Sequence, residues 1–328
     1  MASHMTLISE INKQADLEGG ISRETALGME SLQGEQVLEV MPACARLRYA
    51  RAGKYINLCS IINAKSGRCG EDCAFCAQSA HYNTDAPEFS MLSAARISRA
   101  AGDAAENRAR RFSVVTSGKG VTDASEIDTI AESLRGIKEK GLSPCASPGI
   151  VSTEALQRWK EAGLTRYHHN LETARSFFPR VCTTHDYEED VKALKDAAAL
   201  GLEVCAGGIF GMGEAWAQRV ELAFELKDIG VDAVPVNLYH PIAGTPLAET
   251  APGITPLAAL KTISLFRLVL PAAEIIVCGG RGPNLRELQS MIFFAGADGL
   301  MIGNYLTTTG RPARDDLKMI KDLELEPR

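Results

Sequence analysis

The sequence predicts a (β/α)8 barrel of TIM type, an α/β fold, with a helical extension at its N-terminus. Three observations lead there. From residue 55 onward, eight short apolar runs rich in β-branched residues alternate with longer helical patterns, which are the elements of a closed parallel barrel. A doubly wound open sheet would place a glycine-rich phosphate turn after its first strand, whereas here that turn carries a cluster of cysteines. The 328 residues are 45% apolar, enough for a large core. They hold no apolar run of about 18 residues or more that would span a membrane.

Residues 1–5, MASHM, read as an expression-tag scar and are set aside. Residues 6–54 read as the helical extension covering the barrel, and residues 55–328 as the barrel with a C-terminal tail. The predicted strands are YINLCSII (55–62), RFSVVTS (111–117), LSPCAS (142–147), RYHHNL (166–171), EVCAGGIF (203–210), AVPVNLY (233–239), EIIVCGG (274–280) and GLMIGNY (299–305). Between them, SEIDTIAESLRGIKEKG, STEALQRWKEAG, YEEDVKALKDAAALG and PLAALKTISLFRLVL repeat apolar residues at helical spacing. Several begin near Ser, Thr or Asp, whose side-chain oxygens satisfy the first free N–H groups, and three end at Gly, which tolerates a left-handed backbone.

The net charge of −6 and pI near 5.6 argue against a nucleic-acid partner held through phosphates. Basic pairs such as Arg110–Arg111 then read as solvated surface. The N-terminus shows no secretory signal pattern. Nine cysteines in such a chain point to metal or redox chemistry in a reducing compartment, the cytoplasm, rather than to a disulfide framework.

Three of the nine, Cys69, Cys73 and Cys76, form a C-x3-C-x2-C run. A structural zinc site closes its tetrahedron with protein groups, so three clustered thiolates leave one coordination position open for chemistry. The run follows the first predicted strand, at the C-terminal mouth where barrel enzymes build active sites. Four more cysteines fall on the odd strands: Cys59 on the first, Cys145 on the third, Cys205 on the fifth and Cys278 on the seventh. Singly, each reads as a small buried hydrophobe. Together they would fill one inward-facing layer, because each layer draws on alternate strands. Such thiolate sets suit iron–sulfur clusters, with zinc the alternative at either site. Cys44 and Cys182 read as packing thiols.

With Phe75 just before its third cysteine, the C-x3-C-x2-C run resembles the cluster motif of the radical S-adenosylmethionine (SAM) enzymes. The resemblance implies a 4Fe-4S cluster on Cys69, Cys73 and Cys76. Its fourth iron would be chelated by SAM, whose reductive cleavage releases a 5′-deoxyadenosyl radical. CAQSAHY (76–82), YHHNLET (167–173), VCAGGIFGMGE (204–214), VPVNLYHPIAGTPL (234–247) and GNYLTTTG (303–310) are similar to the biotin synthase family. That resemblance implies sulfur insertion between two unactivated carbons of dethiobiotin, with one SAM per C–S bond, in a homodimer reduced by ferredoxin or flavodoxin.

Residue by residue, the resemblance assigns Asn170 and Asn237 to the ureido oxygen of dethiobiotin, and Thr308 and Thr309, with His168, to the vicinity of its carboxylate. His168 replaces a family asparagine and would donate a charge-assisted hydrogen bond if protonated. Glu172 stands for an aspartate on the SAM ribose. Phe75 and the glycines Gly207, Gly208, Gly211 and Gly213 fall in segments near SAM. Taken alone, the asparagines would be strand-end residues satisfying loops, and the threonines a helix cap. Asp190 stands where the family often has an arginine facing the SAM carboxylate, so another group is required there.

The best-known members also hold a 2Fe-2S cluster on three cysteines and an arginine. Two of those cysteines match Cys145 and Cys205, while the third aligns with Ser113 and the arginine near Ile276. Cys59 and Cys278 would complete a rearranged auxiliary cluster of four-iron type carrying an additional sulfide. The competing readings are a radical SAM enzyme of maturase or mutase type without sulfur insertion, and a non-catalytic iron–sulfur carrier.

Overall fold

The computed structural model describes residues 2–15 and 17–328. Met1, the first residue of the expected tag scar, lies outside the described residues. The strands are β1 (Tyr55–Lys65), β2 (Arg111–Thr116), β3 (Ser143–Ser147), β4 (Arg166–His168), β5 (Glu203–Cys205), β6 (Gly208–Phe210), β7 (Ala233–Leu238), β8 (Glu274–Val277), β9 (Gly299–Met301) and β10 (Glu326–Pro327). They pair in parallel in the order β1-β2-β3-β4-β5-β7-β8-β9, and β9 returns to β1, closing an eight-stranded barrel. β10 adds two residues beside the start of β1.

The predicted strand at 203–210 breaks into β5 and β6, and β6 pairs with β7 alone. At the break, a Cβ on Gly207 would lie 2.1 Å from the carbonyl oxygen of Pro235, so only glycine admits β7 that closely. Three other strands end early, at His168, Val277 and Met301. The chain beyond them turns through the positive φ angles of Glu172, Gly280 and Gly303. Those freed segments become loops of the barrel mouth and carry many of the expected site residues.

The outer helices begin as the sequence indicates. Asp123 accepts from the N–H groups of Ser125 and Glu126, Ser152 from Ala155, and Thr255 from Ala258, with Pro256 in the first turn. The extension forms helices Ala2–Ala15, Arg23–Gly28 and Glu35–Ala52. It lies along the outer helices Trp216–Ile229 and Pro256–Val269. There the Trp216 indole donates to the Ala26 carbonyl (2.9 Å), and Lys261 Nζ donates to the carbonyls of Met29, Glu30 and Leu32.

On the inner side of the same helix, the fully buried Arg267 donates to the carbonyls of Gly296, Pro271 and Ala273 and pairs with the equally buried Asp298. Asp298 in turn accepts from the Ile275 N–H of β8 (2.8 Å). Arg267→Met is expected to lower the unfolding free energy by about 3–5 kcal/mol, because it strands a buried carboxylate and several carbonyls. Urea denaturation checks this, and a loss below about 1 kcal/mol would rule the network out as a fold determinant.

Candidate active site

A cavity of about 430 Å³ opens at the C-terminal mouth and reaches into the barrel interior, and all seven cysteines singled out above line it. The cysteine loop is fixed at both ends. Cys69 N–H donates to Gln78 O (3.0 Å) and Ala80 N–H back to Cys69 O (2.7 Å), while Cys76 N–H closes a turn onto Cys73 O (2.9 Å). Ser66 Oγ donates to the Gln78 side chain, and Ala74 N–H reaches Val181 O in the loop after β4. Phe75 packs among Phe177, Val181, Met212 and Tyr239.

Sulfurs around one tetrahedral ion lie within about 4 Å of one another. Among the described residues, the one set of three such donors whose ligand atoms all approach within 4.8 Å is Glu71, Cys182 and His185, so no three of the seven cavity cysteines do. Cys69, Cys73 and Cys76 are therefore spread too widely for a single ion and fit a larger, polynuclear centre. Burial raises the Cys76 thiol to about 11. Binding a metal centre must therefore drive out thiol protons.

The strand register places the other four cysteines. Cys59 is level with Arg111 and, through it, Ser143, so Cys145 stands two residues higher. The same step from Cys145 through Arg166 and Glu203 reaches Cys205. From Cys205 through Ala233 and Glu274 it reaches Ile276, and from Ile276 through Gly299 and Asn57 it returns to Cys59. Four steps of two residues match the shear of a TIM-type barrel. The layer is thus Cys59, Cys145, Cys205 and Ile276. The odd-strand pattern made Cys278 the fourth member, but it lies two residues above Ile276, just past the end of β8 and nearer the mouth. It still packs in one cluster with Cys59, Cys205 and Ile276.

Beneath this layer sits a charged floor. Arg166 pairs with Glu203 and Glu274, both at 2.8 Å, and Arg111 pairs with Glu203 at 2.8 Å. Arg111 is therefore a buried member of the barrel floor, not the solvated surface expected of the Arg110–Arg111 pair. Its guanidinium stands 4.0 Å from Cys145 Sγ. Burial pushes the Cys205 thiol up to about 12, against the pull of Arg166. Burial likewise raises Cys59, Cys145 and Cys278. Ser113, level with Cys145, turns a buried hydroxyl without a hydrogen-bond partner toward the same cavity.

His168, Asn170, Glu172, Asn237 and Thr308 also line the cavity, while Thr309 follows in the same loop outside the lining. Asn170 lies just beyond β4. Its Oδ1 accepts the Gly207 N–H (3.2 Å), and Asn237 Oδ1 accepts the Gly279 N–H (3.0 Å). Each amide has its oxygen fixed by backbone, while its NH2 group makes one long contact, Asn170 to Glu172 Oε2 and Asn237 to Gly208 O, both at 3.4 Å, and keeps a second N–H to donate. Burial lowers His168 to about 4, with His169 and Arg166 adding to the effect, so the imidazole is neutral and offers no charge-assisted bond. Glu172 is raised to about 8, first by burial and then by Asp190. Of the glycine stretch, Ile209 lines the cavity. A Cβ on Gly208 would lie 2.6 Å from the Glu172 carbonyl, while Gly211 and Gly213 adopt positive φ.

Two family models match the chain: Radical SAM superfamily over residues 64–226, and Biotin and Thiamin Synthesis associated domain over 235–326. The chain is 51% identical over 311 residues to a biotin synthase of Geotalea daltonii, covering 94% of each chain. The chain belongs to the biotin synthase family. A biotin synthase of Geobacter sulfurreducens is 50% identical, with 98% of this chain and 97% of the relative covered. One of Pelotomaculum thermopropionicum is 47% identical, with 97% and 99% covered. A methylornithine synthase has the same fold, with TM-score 0.82 at 17% identity over 98% of this chain and 97% of its own. So does a maturase of the [FeFe]-hydrogenase, with TM-score 0.82 at 15% identity over 99% and 76%.

As a biotin synthase family member the chain is a radical SAM sulfurtransferase, with SAM and a 4Fe-4S cluster as cofactors. The maturase-type reading shares its fold but lacks that sequence identity. No helix among the described residues is long and apolar enough to cross a membrane. Cys182, which the sequence reads as a packing thiol, lines the cavity 3.3 Å from His185 Nδ1. The C-x2-H spacing of Cys182 and His185 was the available signal. Asp190 is buried between His169 (2.7 Å) and His185 (3.2 Å).

Proposed function

We propose that this chain converts dethiobiotin to biotin, and that Cys59, Cys145, Cys205 and Cys278 hold an auxiliary cluster of four-iron type that carries the sulfur to be transferred. The observation that carries the reading is the single cavity shared by the two cysteine sets, since radical generation and sulfur delivery must act on one substrate. A wide thiol set with one member two residues above the rest supports a compact polynuclear centre over one zinc ion. When bound, the two centres supply a 5′-deoxyadenosyl radical from SAM and the sulfur.

The chain's own residues bind, orient and shield. Asn170 and Asn237 donate their NH2 groups to the ureido oxygen, which is a neutral acceptor. Glu172 takes the ribose hydroxyls of SAM, and Phe75 shields that end. Thr308, Thr309 and neutral His168 receive the substrate carboxylate. Val115, Ile209, Ile276 and Met301 give the interior an apolar wall that keeps water from the reacting carbons. Arg111 and Arg166 offset the negative charge of thiolates above them. Ferredoxin or flavodoxin supplies electrons, and the working form is a homodimer.

Anaerobic turnover with dethiobiotin, SAM and reduced flavodoxin is expected to yield biotin together with 5′-deoxyadenosine. Asn237→Ala is expected to raise KM for dethiobiotin by about 10–100-fold while SAM cleavage persists. Deoxyadenosine without biotin from the unmodified chain would overturn the proposal.

A further inference from the structure

The loop after β4 folds back over the cysteine loop and is pinned there. Asp72 accepts the Thr183 N–H (2.8 Å), and Thr184 Oγ1 donates to Glu71 (2.6 Å). This closure brings Glu71 Oε2, Cys182 Sγ and His185 Nδ1 within 4.8 Å of one another. His185 Nδ1 stands 2.5 Å from Glu71 Oε2 and 3.3 Å from Cys182 Sγ. A carboxylate, a thiol and an imidazole are the donors that borderline divalent ions of the zinc and iron(II) kind accept. At bond lengths of about 2.0–2.3 Å, a tetrahedral ion holds its ligand atoms roughly 3.3–3.8 Å apart. The His185–Cys182 spacing already falls in that range, and Glu71 Oε2 stands closer to the imidazole than a shared ion would hold it.

Two further features separate this set from a chance meeting of polar side chains. The first is support behind the histidine. Its other nitrogen, Nε2, faces Asp190 Oδ2 at 3.2 Å, and the second oxygen of Asp190 is held by His169 at 2.7 Å. A carboxylate behind a histidine fixes the tautomer that turns the opposite nitrogen to a metal. The second is enclosure. The side chains of Glu71 and His185 are only 12% and 11% exposed, and Cys182 is 3% exposed. Glu71, Asp190 and Cys182 all face one histidine, and the nearby Lys119 is already paired with Glu189 (2.6 Å). The surplus of acidic groups is what a divalent cation would offset.

We infer that Glu71, Cys182 and His185 bind one divalent transition-metal ion at the wall of the cavity, distinct from both cysteine sets, with a water as fourth ligand. The site shares its cavity wall with Cys73, and it does not depend on the function proposed above.

The test loads zinc onto the full chain after both iron–sulfur centres have been reconstituted anaerobically. Excess zinc is removed by desalting, and zinc, iron and sulfide are then counted. One zinc per chain is expected, with X-ray absorption showing one sulfur and about three nitrogen or oxygen neighbours. Cys182→Ser, His185→Gln and Glu71→Gln should each weaken zinc retention at least about tenfold at unchanged iron and sulfide. Asp190→Asn should weaken it about 10–100-fold while leaving the absorption spectrum the same. Zinc retention equal in the unmodified chain and the Cys182→Ser variant would overturn the site, as would an all-sulfur spectrum or no zinc retained at all. If a variant also lost iron, the spectrum of the unmodified chain and the Asp190→Asn affinity would decide.

Discussion

Cys76→Ala is expected to abolish 5′-deoxyadenosine formation altogether and to remove about four iron atoms per chain, while the centre on the barrel strands remains. Cys76 is half-buried and its loop turn closes on the Cys73 carbonyl. Two thiolates leave a four-iron cluster two corners short of protein ligands, so neither the cluster nor the chelated SAM is held. Iron and sulfide counts with deoxyadenosine by chromatography check the result. Cleavage of SAM at the unmodified rate would remove the trio from the radical step.

The complementary result is expected from Cys59→Ala and Cys278→Ala. Both should lose the auxiliary centre and biotin formation, yet keep SAM cleavage within about threefold. The register explains why the two are of most interest. Cys145 and Cys205 match cysteines of the best-known relatives, whereas Cys59 shares their layer and Cys278 stands two residues above Ile276. Mössbauer spectra of the two variants decide the matter, since an intact auxiliary centre in both would overturn the proposed ligand set. Retention in Cys278→Ala alone would instead place the fourth ligand elsewhere in the cavity, with Ser113 the adjoining hydroxyl.

Much of the site was legible because it is local in the chain. The spacing of Cys69, Cys73 and Cys76 is a property of eight consecutive residues, and the alternation of strands with helices follows from short-range periodicity. The odd-strand cysteines were legible as inward candidates for the same reason. Their heights were not. Two residues along a strand decide a layer, and only the pairing of each strand with its neighbours fixes that offset. The pair Arg110–Arg111 shows the same limit. Arg111 opens β2 and enters the floor beside Glu203, and Arg110, just before the strand, reaches the buried Asn57 Oδ1 at 2.9 Å, so partners distant in the chain draw in charges that read as surface.

The sequence by itself determined the barrel, the trio after the first strand and the family to which the chain belongs. These rest on local pattern and on motif. Tertiary structure decided that Cys278 stands above the layer of Cys59, Cys145 and Cys205, that burial keeps His168 neutral, and that Glu71 meets Cys182 and His185 across more than a hundred residues. Register, desolvation and loop closure arise only when distant segments pack together, and each depends on neighbours that no single stretch of the chain contains.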